Sequence, residues 1–148
     1  MKLLVPSLAA SAVPVQAAEP AELAAANSLI IRRFVTGFEK KDPALLSPFL
    51  DPEIAFQNYG QAEIKGREAV LALWGKVFQN FATVRFETVH QALNGNIVIE
   101  EQIHHLALPG KAPAPIMNMA IYEIRAGLIV AWRDYTDSTY ARKLLSGD

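Results

Sequence analysis

The sequence predicts a single α+β domain, in which N-terminal helices cover a curved, mostly antiparallel sheet and a short helix ends the chain. Up to residue 81, apolar side chains recur at three- and four-residue spacing, as on the buried face of an amphipathic helix. From Val84 onward they alternate with other residues, as in strands. Turn signals such as Asn94-Gly95 separate four such strands. Helices placed before a run of hairpin-linked strands favour an α+β cone with an apolar interior, which suits a small-molecule pocket.

Composition narrows the possible functions. The chain has 148 residues, of which 51% are hydrophobic, and its formal net charge is −1. That charge gives no electrostatic reason to bind nucleic acid or an anionic membrane surface. The absence of cysteine excludes disulfides, thiolate metal sites and a cysteine nucleophile. With only three histidines, a multi-histidine metal centre is hard to build.

The first 17 residues have the order of a secretory signal. Met1-Lys2 carries a positive charge, residues 3–15 are apolar or small, and Val15-Gln16-Ala17 is a small-x-Ala cleavage pattern. The apolar run is shorter than the roughly 20 residues that a membrane span needs. We therefore expect residues 1–17 to be a signal peptide and residues 18–148 to be one exported domain, periplasmic or secreted, with no membrane span. The alternative is an apolar N-terminal helix of a cytosolic protein, against which Pro6 and Pro14 count.

The helices are predicted from apolar spacing and from capping residues. Residues 21–41 form an amphipathic helix, and Asp42-Pro43 starts a short second one that ends before Pro48. Residues 67–81 form a third helix, with Trp74 on its apolar side. Asp137 is expected to cap a last helix that ends near residue 145.

The strands follow from alternation and from turn residues. A short strand covers residues 54–58, and longer ones are predicted over 84–93, 96–108, 116–124 and 128–135. The last four are joined in sequence by short turns or by the proline-rich loop 109–115, which predicts an antiparallel meander.

One strand carries three polar residues on a single face. Glu100, Gln102 and His104 lie in line between Val98 and Leu106, while the opposite face of residues 96–108 is largely aliphatic, with Ile97, Ile99 and Ile103. If the polar face points inward, it forms a hydrogen-bonded network or a site inside an apolar cavity. If it points outward, these residues simply meet solvent. Alternation alone leaves both orientations open.

Two further positions suggest chemistry. Asp134 shares a predicted face with Leu128, Val130 and Trp132, and an enclosed carboxylate can act as a general base. Its alternative is a structural role, paired with one of the available arginines or capping a helix. Asn58 ends the first strand, where it could hold a water or a substrate oxygen, or could open a turn.

These residues resemble a known family. Phe56-Gln57-Asn58, the segment 66–70 (Gly-Arg-Glu-Ala-Val) and the segment 132–137 (Trp-Arg-Asp-Tyr-Thr-Asp) make the chain similar to the limonene-1,2-epoxide hydrolase branch of the NTF2-like, or SnoaL-like, superfamily. The resemblance runs from about residue 24 to residue 145. It implies the cone fold, the inward orientation of the polar face, and a homodimer formed through the exposed face of the sheet.

The resemblance also implies roles for individual residues. In that family one aspartate, an asparagine and a tyrosine hold the attacking water, a second aspartate protonates the epoxide oxygen, and an arginine bridges the aspartates. Here the base matches Asp134 and the asparagine matches Asn58. The tyrosine position is Phe56, unless Tyr59 substitutes for it. Two further positions differ, since Gln102 stands in the place of the arginine and His104 in the place of the acid.

The leading hypothesis is therefore an epoxide hydrolase-like enzyme for a small apolar molecule, with Asp134 as base, Asn58 as water holder, Gln102 as bridge and His104 as acid. Two alternatives stay open: an isomerase or cyclase that uses the same Asp134–His104 pair, and a binder of small apolar ligands without catalysis. The residues expected to contact the substrate are Phe56, Tyr59, Glu100, Trp132 and Trp74.

No cofactor and no metal are expected. The sequence has no phosphate loop and no dinucleotide fingerprint. His104 and His105 are adjacent on a strand and point to opposite faces, so they cannot easily share one ion.

Overall fold

The computed structural model describes residues 20–147, so the predicted signal segment lies outside the described residues. Its helices are close to those predicted. They begin and end as follows: α1 Pro20–Gly37, α2 Pro43–Leu46, α3 Arg67–Asn80 and α4 Ser138–Ser146, with single 3-10 turns at Phe38–Lys40 and Ser47–Phe49. Asp42 caps α2 with Pro43 at its first position, and Asp137 caps α4, as predicted.

Six strands form one mixed sheet. They are β1 Leu50–Asn58, β2 Ile64–Lys65, β3 Thr83–Asn94, β4 Ile97–Ala107, β5 Ala114–Arg125 and β6 Leu128–Tyr135. Their order across the sheet is β2-β1-β6-β5-β4-β3, and β3 to β6 form the predicted antiparallel meander. The predicted α+β architecture is confirmed. The two-residue strand β2 is too short to give an alternation pattern and was not predicted.

The first long strand pairs with the last one in parallel. Strands β1 and β6 are neighbours, with Phe56 opposite Trp132 and Asn58 opposite Asp134. Neighbouring strands lie about 4.8 Å apart, so paired residues present their side chains next to each other. This pairing, which no local pattern in the sequence indicates, brings two of the predicted site residues together.

A β-bulge sets the orientation of the last strand. The register between β5 and β6 shifts because Ile124 pairs with Ile129 while Glu123 pairs with Ala131, which leaves Val130 as an extra residue. Ile129, Trp132 and Asp134 are therefore buried, whereas Leu128 and Val130 are only half-buried. The prediction that Leu128 and Val130 share the inner face with Asp134 is wrong, because strict alternation does not hold across a bulge.

The helices and the inner face of the sheet enclose an aromatic core. Trp74 of α3 stacks on Trp132 of β6 with ring centres 5.4 Å apart, and Phe34 and Phe38 of α1 and its 3-10 turn meet Trp132 edge-on. Phe38 also stacks on Phe86 of β3. Full burial of such side chains contributes roughly 1.5–3 kcal/mol each. These contacts fix Trp132, and with it the end of β6 that carries Asp134.

The outer face of the sheet is partly apolar. Ile97, Ile99 and Ile103 are half-buried there, and Met117 and Met119 of β5 are exposed. No helix within residues 20–147 combines the length and hydropathy needed to cross a bilayer.

Candidate functional site

The polar face of β4 points inward. Glu100, Gln102 and His104 are all buried, and Asn118 on the neighbouring strand β5 and Asp134 on β6 are buried beside them. The register places Gln102 opposite Asn118, so that the buried polar side chains form one connected row across three strands. Of the two orientations that the sequence allowed, the structure has the one that creates an internal polar network.

Asp134 is held by two donors on the same oxygen. The indole N–H of Trp132 donates to Oδ1 at 2.7 Å, and the Nδ2 of Asn118 donates to Oδ1 at 3.2 Å. Within residues 20–147 no hydrogen bond reaches Oδ2, and Asp134 lines the main cavity. Burial raises the pKa of Asp134 from 3.8 to about 7, against the smaller lowering effects of Trp132 and Asn118. Near neutral pH this carboxyl can therefore both accept and donate a proton.

Gln102 uses all four of its hydrogen-bonding positions. Its Nε2 donates to Glu100 Oε2 and to the hydroxyl of Tyr122, at 3.1 Å for the latter. Its Oε1 receives His104 Nε2 at 2.8 Å and Asn118 Nδ2 at 3.2 Å. Gln102 is thus a bridge, as predicted in position, but Asn118 completes the connection between it and Asp134.

His104 is enclosed and stays neutral. Its ring stacks on Phe86 with centres 3.7 Å apart. Burial, with a smaller contribution from the neighbouring His105, lowers the pKa of His104 from 6.5 to about 3. The expected role of His104 as the acid therefore lacks a charged imidazolium, because the ring is buried and Asn118 lies between it and Asp134. A neutral imidazole is a weak acid.

Glu100, at the other end of the row from Asp134, is fully buried. Its two oxygens receive donors from Thr88, Gln91 and Gln102, and Gln91 in turn receives the hydroxyl of Ser28 from α1. None of these partners is a cation. Three hydrogen bonds satisfy a buried carboxylate without a charge partner.

The cavity next to Asp134 has a volume of about 360 Å³. Its wall is mainly apolar and comes from α3, the strands and α4, with exposed residues Gln61, Ala62 and Arg142 at its rim. The predicted residues Phe56, Asn58, Trp74, His104 and Asp134 all line it. Asn58 Oδ1 and Trp74 Nε1 are buried and have no hydrogen-bond partner among the described residues. Unpaired buried polar atoms of this kind call for a bound partner.

Other predicted residues do not reach the cavity. Tyr59 is 69% exposed and packs against Tyr135 outside, because β1 ends at Asn58 and the chain turns away there. Tyr59 therefore cannot take the place of the tyrosine that the resemblance predicts at position 56. Glu100 and Trp132, which were expected to contact the substrate, lie behind the cavity wall and are at most 1% exposed. Glu100 instead bonds to Gln102, and Trp132 bonds to Asp134.

Three contributors were missed. Asn118 joins Gln102 to Asp134, and the Thr136 hydroxyl donates to Asn118 Oδ1 at 2.6 Å. Asn118 lies in line with the apolar residues Ile116 and Ala120, the same signal that singled out Asp134. Arg142 lines the cavity from α4, and no sequence pattern indicated its position.

Within residues 20–147, no group of three or more His, Cys, Asp or Glu side chains could hold a metal ion.

Comparison with known proteins gives a family model and solved structures. The model of the SnoaL-like domain matches residues 31–132. An M. tuberculosis LEH-like epoxide hydrolase is 18% identical, with a TM-score of 0.74 over 84% of this chain and 92% of that one. A putative SnoaL-like polyketide cyclase from Jannaschia sp. CCS1 is 15% identical, with a TM-score of 0.73 over 90% and 99%. A hypothetical protein with a ketosteroid isomerase-like fold from Catenulispora acidiphila is 16% identical, with a TM-score of 0.66 over 72% and 83%.

Proposed function

The chain belongs to the SnoaL-like domain family, and we propose that it is an acid–base enzyme for a small, largely apolar molecule, with Asp134 as the group that moves the proton. The expected NTF2-like, or SnoaL-like, fold is confirmed, and the neighbours include an epoxide hydrolase and a putative polyketide cyclase. The cavity volume, its apolar wall and the raised pKa of Asp134 support this proposal.

The reaction that the geometry supports best is the addition of water to an epoxide. One observation carries this choice: Asn58 Oδ1 has no donor among the described residues, and Asn58 is paired in register with Asp134, whose Oδ2 also lacks one. A water between these two acceptors gives one hydrogen to each. Its lone pair is then left to face a substrate in the cavity, which is the orientation of a nucleophile.

The step balances with Asp134 alone. The water oxygen forms a bond to an epoxide carbon, and its proton passes to Oδ2 of Asp134. The ring carbon–oxygen bond breaks, and its electron pair stays on the oxygen. That alkoxide, a much stronger base than the carboxylate, then takes the proton from Asp134, and the product is a diol. His104 does not supply the proton, because it is neutral and its Nε2–H is bound to Gln102.

A second candidate is proton transfer next to a carbonyl, as in an isomerase or cyclase. The specific observation in its favour is that Asp134, the one carboxyl among the described residues that line the cavity, has a near-neutral pKa. Such a carboxyl can remove a proton from one carbon and return it to another.

A panel of small apolar epoxides, assayed for diol, tests the proposal. We expect turnover by the wild-type protein and a loss of at least about 100-fold in Asp134→Asn, which cannot accept a proton. Asp51→Asn, on β1 away from the cavity, is the matched control and keeps full activity. Diol formation that survives in Asp134→Asn contradicts the proposal. Deuterium uptake beside a carbonyl, without any diol, identifies the isomerase, and binding without any reaction identifies a non-catalytic binder.

We further propose that the protein is exported after cleavage behind Ala17 and that it forms a homodimer through the outer face of the sheet. The N-terminal pattern supports the first statement, and the half-buried Ile97, Ile99 and Ile103 with the exposed Met117 and Met119 support the second. The mass of the mature protein tests the cleavage site. Sedimentation equilibrium of the wild type and of Ile99→Glu tests the dimer.

A further inference from the structure

Three buried side chains on β4 form a directed chain of hydrogen bonds that ends at the cavity. It runs from Glu100 through Gln102 to His104. We propose that Glu100, acting through Gln102, is a positioning residue that holds His104 in the Nε2-protonated tautomer, so that Nδ1 accepts a hydroxyl hydrogen of the ligand. The ligand class is then a small apolar molecule that carries a hydroxyl group. The inference rests on the proposed function in so far as both place the ligand in the same cavity.

Glu100 sets the direction of these hydrogen bonds. Both oxygens of the Glu100 carboxyl group accept hydrogen bonds, from Thr88, Gln91 and Gln102. Gln91 is held there by a second contact, since its Oε1 accepts the hydroxyl of Ser28. Gln102 must therefore turn its NH₂ group toward Glu100.

The orientation of Gln102 determines which nitrogen of His104 carries the hydrogen. With its NH₂ group facing Glu100 and Tyr122, Gln102 presents its carbonyl oxygen to His104 at 2.8 Å. The imidazole nitrogen that meets a carbonyl oxygen must carry the hydrogen. The Nδ2 of Asn118 lies 3.2 Å from the same nitrogen, but its two hydrogens are donated to Gln102 Oε1 and Asp134 Oδ1. Asn118 therefore does not require Nε2 of His104 to act as an acceptor.

A neutral imidazole has one hydrogen, so Nδ1 of His104 keeps a lone pair. Nδ1 makes no hydrogen bond to any residue from 20 to 147, and His104 lines the cavity. A ligand that fills the cavity with a purely apolar group, or with an acceptor such as an ether oxygen, leaves this acceptor unpaired. A ligand hydroxyl satisfies it. Nδ1 can likewise accept a hydrogen bond from the hydroxyl of an epoxide that already bears an alcohol, or from a hydroxyl of the diol product.

The tautomer is measured by ¹⁵N NMR of the imidazole nitrogens, with His104 assigned through the His90→Gln and His105→Gln proteins. We expect Nε2 to have the shift of a protonated nitrogen and Nδ1 that of an unprotonated one. In Gln102→Leu, where Nε2 loses its acceptor and faces only Asn118 Nδ2–H, the tautomer should reverse. In Glu100→Gln, where residue 100 can donate as well as accept, both tautomers should be present. Glu101→Gln, on the outer face of the same strand, is the matched control: it changes the partner of His90 but should leave the His104 signals as in the wild type.

The ligand class is tested with two probes that share one carbon skeleton, menthol and menthyl methyl ether, which differ only by the methyl group on the oxygen. Titration calorimetry should show the alcohol binding roughly fivefold more tightly than the ether, the value of one net hydrogen bond. In Gln102→Leu, where Nδ1 becomes a donor, the preference should disappear or reverse.

Two results overturn the inference: an Nδ1-protonated His104 in the wild type, or equal affinity for the alcohol and the ether. An unchanged single tautomer in Glu100→Gln overturns the role of Glu100. None of these measurements uses turnover, so they remain decisive if no epoxide reacts. Conversely, diol formation that depends on Asp134 would still support the proposed function if His104 had the other tautomer.

Discussion

Two buried carboxyl groups lie at opposite ends of the same polar row, and their surroundings differ. Glu100 has donors on both oxygens and is closed off by Ser28 and Gln91 on the side of α1. Asp134 has two donors, both on Oδ1, and its second oxygen has no partner among the described residues. Asp134 also lines the cavity, whereas Glu100 does not.

The difference shows how one network can serve two purposes. A buried carboxylate whose acceptors are all filled gains rigidity, and its bonding partners become oriented. A buried carboxyl with an unfilled oxygen has its ionised form disfavoured, and it remains able to exchange a proton with whatever enters the cavity. We therefore infer that the Glu100 end organises the site and the Asp134 end performs its chemistry.

The largest expected effect concerns pH and stability. The pKa of Asp134 is raised from 3.8 to about 7, so the folded state binds more protons than the unfolded state in that range, and stability falls as pH rises from about 4 to about 7. The pKa of His104 is lowered from 6.5 to about 3, so the unfolded state binds more protons, and stability is lost as pH falls from about 6.5 to about 3. Each shift corresponds to roughly 4–5 kcal/mol, and the two trends oppose each other.

Single substitutions should expose each trend. In Asp134→Asn, the free energy of unfolding should rise with pH between about 3 and 6.5, and in His104→Gln it should fall between about 4 and 7. Denaturant titrations across this pH range measure both slopes. His90→Gln, at an exposed site, is the control and should follow the wild-type curve. Parallel curves for all four proteins would contradict the assigned shifts.

Removal of one donor from Asp134 should change its pKa further. Trp132→Phe keeps the aromatic packing but deletes the N–H that meets Oδ1, so the pKa of Asp134 should rise by about one unit. The ¹³C shift of the Asp134 carboxyl, followed against pH, measures this directly. Trp74→Phe, which stacks on Trp132 without bonding to Asp134, should leave that titration unchanged. A larger shift in Trp74→Phe than in Trp132→Phe would show that packing, not the hydrogen bond, sets the pKa.

The water-holding role of Asn58 can be separated from stability. Asn58→Ala removes an oxygen that has no partner in the described structure, so the free energy of unfolding should change by less than about 1 kcal/mol. The turnover of an epoxide should nevertheless fall roughly tenfold, as one hydrogen bond to the water is lost. Gln57→Ala, the adjacent residue on the opposite face of β1, is the control for turnover. Equal losses in both variants would argue against a water at Asn58.

The smallest effect is expected at the Glu100 end of the polar row. Thr88→Val removes one of the three donors to Glu100 and should cost about 1 kcal/mol in the free energy of unfolding. The titration of Asp134 should not change, because Gln91 and Gln102 still orient the network. Thr36→Val, whose hydroxyl bonds only within α1, controls for the loss of a threonine hydroxyl. A shift in the Asp134 titration would show that the two ends are not independent.

The sequence predicted what depends on local spacing. The helices, the meander and the polar face of β4 follow from periods of 3.6 and 2, and the caps at Asp42 and Asp137 follow from short-range hydrogen bonding. The parallel pairing of β1 with β6 joins distant segments and leaves no local pattern. The bulge at Val130 and the turn of the chain after Asn58 likewise depend on the assembled sheet, which is why Leu128, Val130 and Tyr59 were misplaced.

The chemistry was harder to predict than the positions of its residues. Asp134, His104, Gln102 and Asn58 do lie around one region, but protonation depends on burial and on Asn118, which no motif singled out. The sequence analysis assigned His104 the role of the acid. The structure places the carboxamide of Asn118 between His104 and Asp134, and burial keeps the imidazole neutral.

The parallel pairing of β1 with β6 also affects the order in which the protein folds during its synthesis. Asn58 and Asp134 belong to strands that are synthesised about half a chain apart, yet they meet side by side. A nascent chain on the ribosome can form the hairpins of β3, β4 and β5 before β6 is synthesised. At that stage β1 has only β2 beside it, and Asn58 has no Asp134 next to it. The pair of Asn58 and Asp134 on which the proposed function rests therefore forms only when the last strand inserts between β1 and β5. A protein clipped before residue 128 lacks both Asp134 and the strand that joins β1 and β2 to the rest of the sheet.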